Sequence, residues 1–382
     1  MRVALNGWFW NHPETGSGQY TRRLVQALES VDPQLSLKVL LPSDSPLGSL
    51  DEGRATDFVV HPIRRTNLHK LWWEQVLVPR LAERVNADVI HAPYWAPPCA
   101  APLPVVVTVH DIIPLLLPDY RGGLLVRLYT SLVAAATSRA QVVLADSDAT
   151  RRDILEHIEV RPDQVRTVYL ALNDDLTPEP QPEDAEIRKR LKLPSGYILY
   201  FGGFDARKNL AGALESFAIV HGAIPDAVLV LAGRLPEADN AFTPDPRRLA
   251  QALELPAEAI RYLGFVSEAD KAAVYRGARV FLFPSLYEGF GYPPLEALSC
   301  GVPVVGSASS SLPEVVDDGG ILLDPHDTEG MAGALMQILI EDAYYGELRE
   351  AAIKQSRRFS WERTATDTLA AYRTALRRVP PA

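Results

Sequence analysis

The chain has 382 residues, 47% of them hydrophobic, and a formal net charge of −10 at neutral pH. That length exceeds what one hydrophobic core usually organises and suits two domains, while the acidic balance argues against general nucleic-acid binding. There is no run of 18 apolar residues, and the stretch around Val105-Val106-Val107 is too short and proline-flanked to span a bilayer. Met1 to Gly7 enters a strand pattern without a signal-peptide core, so a cytoplasmic protein is expected. Cys99 and Cys300 are far apart, fit a reducing compartment, and give neither a disulfide framework nor zinc spacing. Residues 1–176 carry 17 basic and 20 acidic side chains and the remainder 21 and 28, so an anion bound in the second half needs particular cations.

Short continuous apolar runs mark the strands: Arg2–Leu5, Leu37–Leu41, Asp88–His91, Val105–Val109, Val142–Ala145, Ile198–Phe201, Ala227–Ala232, Val280–Phe283 and Val302–Val305. Such runs suit parallel strands covered on both faces. Amphipathic segments at Gln19–Glu29, Gly122–Thr137 and Leu210–His221 alternate with them, which predicts an α/β protein with doubly wound sheets. The proline run Thr177-Pro178-Glu179-Pro180-Gln181-Pro182 is stiff and helix-incompatible, so the domain boundary is placed there.

In the first half, Gly16-Ser17-Gly18 precedes a helix and reads either as a close backbone approach to a ligand or as a plain turn. His110-Asp111 ends the strand Val105–Val109, where open α/β sheets place ligands, although a structurally satisfied histidine fits equally well. Asp146-Ser147-Asp148 matches an Asp-x-Asp metal pattern, but its place between strand and helix makes a helix cap the simpler reading. The histidines show no ligand spacing, and no metal is expected.

In the second half, strand Tyr197–Phe201 runs into Gly202-Gly203-Phe204-Asp205-Ala206-Arg207-Lys208-Asn209 and a helix from Leu210. An adjacent Arg–Lys pair at such a turn suits a pyrophosphate; the alternative is a solvated pair, unfavourable at a helix start. Glu288-Gly289-Phe290-Gly291-Tyr292-Pro293-Pro294-Leu295-Glu296 sets two carboxylates eight apart. The prolines suit the first turn of a helix, so Glu288 is expected on the loop and Glu296 in that first turn, with helix-start amides available to a phosphate and the carboxylates to hydroxyls. Two unrelated solvated acids on a capped helix are the alternative.

The run from Phe283 through Ala297, with Cys300-Gly301-Val302-Pro303-Val304-Val305 and Leu312-Pro313-Glu314-Val315, resembles the retaining nucleotide-sugar glycosyltransferases of family GT4. The resemblance implies the GT-B fold, two Rossmann-like domains facing a central cleft. It implies an acceptor domain at 1–177, a donor domain at 183–360, and a C-terminal helix at 361–382 packing back on the first. By the same resemblance Glu296 takes the donor ribose, Glu288 lies by the donor sugar, and Phe290, Gly291, Tyr292 and Leu295 belong to the donor segment. Lys208 takes the diphosphate. Many members carry an Arg where this chain has Gly203, so Arg207 is the candidate second charge. The base is expected against backbone near Gly264-Phe265-Val266, with Gly203 and Val266 in the donor set. Gly16, Ser17, Gly18 and Asp111 fall on the acceptor side and His110 near the donor sugar.

The resemblance further implies front-face transfer of a hexose, mannose or rhamnose favoured, from a nucleotide sugar to a glycan or lipid-linked acceptor, without cofactor or metal. Two rivals stand beside it. A nicotinamide dehydrogenase fails because Gly16, Gly18 and Thr21 occupy the glycine positions and the strand ending at Leu41-Pro42 lacks a ribose-binding acid. A catalytically silent homologue that binds a sugar nucleotide or a partner enzyme is the second. The cationic and aromatic segment Ile63–Trp73 reads either as a peripheral contact with an anionic membrane or as a solvated loop with core tryptophans.

Overall fold

A computed structural model of the protein describes residues 1–42, 56–172 and 175–378. The chain divides into two compact units, Met1–Ala171 with Phe359–Ala382, and Leu172–Arg358. The division therefore falls ahead of the proline run. That run is fastened to the second unit: the Arg276 guanidinium donates to the Thr177 carbonyl at 3.1 Å and Arg349 to the Pro178 carbonyl at 3.1 Å. Proline-rich backbone has many carbonyls to satisfy and few amides, so arginine donors hold it well.

The first unit is built on strands β1 (Arg2–Asn6), β2 (Ser36–Pro42), β3 (Thr56–His61), β4 (Val89–Ala92), β5 (Val105–Val109), β6 (Val142–Ala145) and β7 (Val165–Thr167), in the order β3-β2-β1-β4-β5-β6-β7. The second contains β8 (Tyr197–Phe201), β9 (Leu229–Ala232), β10 (Ile260–Gly264), β11 (Ala278–Phe283), β12 (Val304–Ser307) and β13 (Gly320–Leu323), in the order β10-β9-β8-β11-β12-β13. The strand pairs are parallel. Each sheet reverses its winding once, between β1 and β4 and between β8 and β11. At such switch points the loops leaving the carboxyl ends of two adjacent strands part to opposite faces and open a crevice for ligand.

Helices cover the sheets as the apolar spacing predicts. The first runs Gly16–Val31, starting earlier than the apolar pattern because Thr15 caps it, its hydroxyl accepting from the Gly18 amide. Another spans Leu124–Thr137 after Gly122, whose φ of +64° suits glycine. A third spans Leu210–Ala223.

The C-terminal helix Trp361–Arg377 belongs to the first unit; residues 379–382 of the expected helix lie outside the described residues. Thr364 donates to the Tyr169 carbonyl at 2.7 Å and Arg378 to the Gln141 carbonyl at 2.7 Å. Beneath the helix, fully buried His91 of β4 sits 2.7 Å from the Tyr372 hydroxyl and 2.9 Å from that of Thr108.

Burial pulls the His91 imidazole down to a pKa of about 3, with His110 adding to the effect. Its folded value lies below its unfolded one, so its contribution is whole above the unfolded value near 6.5 and is lost as pH falls. Between pH 6 and pH 4 the stability of His91→Gln should depend on pH less steeply than wild type, by about 1.4 kcal/mol per pH unit. Denaturant titrations across that range check it.

Candidate active site

At the second switch point, β8 ends in Gly202-Gly203 and the chain turns through a single 3-10 turn, Ala206–Lys208. Asn209 follows with φ +52° and ψ +48°, a left-handed conformation that asparagine tolerates better than other residues with side chains. Its side chain fixes this turn three ways. Oδ1 accepts from the Gly212 amide at 3.3 Å, and Nδ2 donates to the carbonyls of Pro284 at 3.1 Å and Pro325 at 2.8 Å. The loop after β11 meets it, the Leu286 amide donating to the Arg207 carbonyl at 2.8 Å.

These backbone ties bring Arg207 and Lys208 onto Glu288. Lys208 Nζ lies 2.6 Å from one carboxylate oxygen and Arg207 Nη1 2.9 Å from the other, while Ser285 Oγ donates at 2.7 Å. The three charged side chains are only 13%, 12% and 10% exposed. Arg207 also donates to the Tyr287 carbonyl at 2.7 Å, and Lys208 lies over the Phe283 ring at 5.2 Å. A second carboxylate, Asp205, lies 3.6 Å from Arg207 Nε, so two cations and two carboxylates are gathered at the carboxyl ends of β8 and β11. Low exposure makes each of these charges count for more than on an open surface.

The helix Tyr292–Ser299 begins just beyond. Gly291 precedes it with φ +116°, outside the range other residues adopt readily, and a Cβ there would lie 3.1 Å from Leu312. Prolines 293 and 294 occupy its first turn, as expected, but no acid does. Glu296 therefore lies just past the first turn, because the helix starts at Tyr292. From there its carboxylate reaches the helix Glu268–Gly277, accepting from Lys271 Nζ at 3.1 Å and the Tyr275 hydroxyl at 2.8 Å. Burial moves Glu296 upward, and Lys271 and Tyr275 oppose that without cancelling it. Burial alone disfavours the Lys271 ammonium, but Glu296 and Glu268 outweigh it, so Lys271 also moves upward.

Lys271 and Tyr275 are thus part of the site although the sequence reading passed over them. Their signal was an i, i+4 polar pair on a helix directly after the Gly264-Phe265-Val266 turn.

The remaining donor-side candidates divide by exposure. Phe290, Leu295 and Val266 are buried, so their side chains are packing groups. Tyr292 is half-buried and meets Phe290 edge-on at 5.6 Å. The Gly203 carbonyl accepts from Tyr200 at 2.9 Å. Gly264 has φ +68°, and Phe265 beside it is 72% exposed with Arg234 over its ring.

In the first unit, His110 Nδ1 lies 2.6 Å from Asp146 and Nε2 3.2 Å from the Pro93 carbonyl, with Tyr20 edge-on to the ring. Burial alone lowers its pKa, but Asp146 and Asp111 reverse the effect and hold it above the usual histidine value. Asp146 is therefore a partner for histidine, and Ser147 performs the helix cap, accepting from the Thr150 amide at 3.0 Å. Asp111 accepts from the Ile113 amide at 3.0 Å in a local turn. Gly16 is exposed and Ser17 half-exposed, whereas Gly18 is buried: a Cβ there would stand 2.1 Å from the His12 carbonyl. The glycine at 18 serves packing of the loop before the helix. Among the described residues there is no group of three or more His, Cys, Asp or Glu that could hold a metal ion.

Residues 183–359 match the family model "Glycosyl transferases group 1", and residues 15–176 match "Glycosyltransferase Family 4". O-antigen chain mannosyltransferase B of Escherichia coli is 34% identical over 276 residues, 70% of each chain. The chain belongs to the family 4 glycosyltransferases. This glycosyltransferase also superimposes on sucrose-phosphate synthase from Thermosynechococcus elongatus with a TM-score of 0.74 at 21% identity, over 98% of both chains. Anabaena HepE, solved with UDP and glucose, gives 0.72 at 19% identity over 97% of this chain and 98% of that one. The fold is GT-B, with two Rossmann-like parallel sheets.

Removing Glu288 from between two poorly exposed cations leaves charge uncompensated. Glu288→Ala in this glycosyltransferase should lower stability by about 3 kcal/mol, and Glu288→Gln by less because it keeps hydrogen-bond acceptors. Gly18→Ala should cost about 2 kcal/mol through overpacking against the His12 carbonyl. Chemical denaturation of the three variants beside wild type measures both.

Proposed function

We propose that the enzyme transfers mannose from a nucleoside-diphosphate sugar to a glycan or lipid-linked acceptor, with retention at the anomeric carbon and without a metal ion. The observation that carries this reading is the Arg207–Lys208–Glu288 cluster at the β8/β11 switch point, followed at once by the start of the helix Tyr292–Ser299. Two fixed cations at the carboxyl ends of adjacent strands suit a diphosphate leaving group. Mannose is preferred to rhamnose because the E. coli relative is named a mannosyltransferase. A nucleotide-sugar donor is supported by the UDP held by the Anabaena neighbour.

In this reading Lys208 and Arg207 stabilise the charge that grows on the departing diphosphate. Glu288, already bonded to both, holds them in place and lies by the sugar. Glu296 accepts from the ribose hydroxyls, its carboxylate aimed by Lys271 and Tyr275. The acceptor hydroxyl attacks the anomeric carbon on the face the phosphate leaves; its proton passes to the leaving phosphate oxygen as one C–O bond breaks and the other forms. His110, Asp111, Gly16 and Ser17 of the first unit are assigned to the acceptor side and the sugar, with Gly18 supporting that loop from beneath. The two protein cations occupy the electrostatic role that a divalent ion has in other transferases.

Transfer assays with GDP-, UDP-, dTDP- and ADP-sugars in the presence of chelator, with the product anomer read by NMR, test the proposal. GDP-mannose is the expected donor, giving an axial product without added metal. An inverted product, or activity abolished by chelator, contradicts it. Lys208→Ala should lower kcat about 100-fold. Lys271→Met should instead raise the donor KM about tenfold with kcat little changed, because it acts on ground-state and transition-state binding alike.

A further inference from the structure

The first unit exposes a concentration of large apolar side chains that its fold does not use. Leu124, Leu125, Val126 and Leu128 are 73%, 81%, 48% and 59% exposed, and they open the helix Leu124–Thr137. Residues 121–128 are all exposed, and the buried side of that helix begins only at Thr130. Leu68, 80% exposed, and Trp72, 49% exposed, stand on the short helix Asn67–Trp72. The two helices are neighbours: Lys70 Nζ lies 2.9 Å from the Tyr129 hydroxyl, and both groups bond to buried Glu74. Trp72 also walls an open groove of about 620 Å³ with Ile63, Arg64 and Leu77.

Charge says what covers this face. In a chain of net charge −10, residues 61–73 and 120–145 contain no Asp or Glu, and Arg64, Arg121 and Arg127 are exposed among the apolar groups, with exposed Asp119 at their edge. A two-fold contact with a second copy would set this basic rim against itself, whereas lipid phosphates complement it. We propose that this face docks on a bilayer surface carrying anionic headgroups, with Leu124, Leu125 and Leu128 entering the acyl boundary and Arg121 and Arg127 meeting the phosphates. Trp72 then sits at headgroup level, where an indole finds both apolar and polar surroundings. Two residues of the neighbouring segment are committed elsewhere. Arg65 is engaged with His12 and lies 5.5 Å over Trp8, and Trp73 is fully buried.

The test is flotation of the full chain with vesicles of phosphatidylcholine alone and with one-third phosphatidylglycerol, at low and high salt. Wild type should float with the anionic vesicles, less so at high salt. Leu124→Ser/Leu125→Ser/Leu128→Ser and Arg121→Glu/Arg127→Glu should each lower partitioning at least about tenfold. Ile340→Ser, which removes a 68%-exposed side chain of the second unit, should leave it unchanged. Thermal melts and nucleotide binding verify that the variants fold. No flotation of wild type, or flotation indifferent to both multiple variants, overturns the proposal. So does a wild-type dimer in sedimentation velocity that the triple serine variant converts to monomer, since the face would then bind a second copy.

Discussion

Glu288 between Arg207 and Lys208 is the contact around which the second unit arranges its carboxyl end. Three ionised side chains at about one-tenth exposure are costly to bring together and worse to leave unpaired. The structure keeps them together by fixing backbone first. Asn209 in a left-handed turn ties the β8 loop to Pro284 and Pro325, and the Leu286 amide donates to the Arg207 carbonyl. The Glu288 amide donates to the Ser310 hydroxyl at 2.7 Å, and Ser311 donates to the Glu288 carbonyl at 3.0 Å. The result is charge held in position before any ligand arrives, which is what electrostatic stabilisation of a leaving group requires.

The first unit uses its buried polar groups differently. His91, Thr108, Tyr20 and Tyr372 form a chain of hydrogen bonds linking β4, β5, the first helix and the last one. It is neutral, and its role is to seat the C-terminal helix. His110, one strand end further on, is paired to Asp146 and a quarter exposed. Two histidines in one sheet are thus pushed in opposite directions, His91 down by burial and His110 up by a carboxylate. Only the second keeps a charged partner at the end of the sheet where ligands bind.

Much of this was legible in the sequence, and the omissions share causes. The strands read from continuous apolar runs lie inside the sheets. Thr56–His61, Val165–Thr167, Ile260–Gly264 and Gly320–Leu323 were passed over, and all four are edge strands with half-buried or exposed positions. Paired on one side only, they carry short or broken apolar runs: Phe58-Val59-Val60 and Ile321-Leu322-Leu323 are brief, and Arg166 and Arg261 interrupt the other two. The Arg–Lys turn and the two glutamates were visible because local glycine and proline chemistry announces them. Their partners were not: Lys271 and Tyr275 reach Glu296 from 25 and 21 residues away, and Asp146 meets His110 across 36. Glu296 lies just outside the expected first turn because the helix starts at Tyr292, ahead of both prolines. The exposed leucines at 124–128 read as part of an ordinary amphipathic helix, since periodicity cannot say that a helix end projects beyond its core.

The central claim is that the switch-point cations hold a diphosphate. Calorimetric titration of GDP and of guanosine into wild type and Lys208→Met tests it most directly. The account predicts GDP affinity reduced about tenfold or more by the loss of a charge-assisted contact, with guanosine affinity unchanged. Equal weakening of both, or no change in GDP affinity, would contradict it.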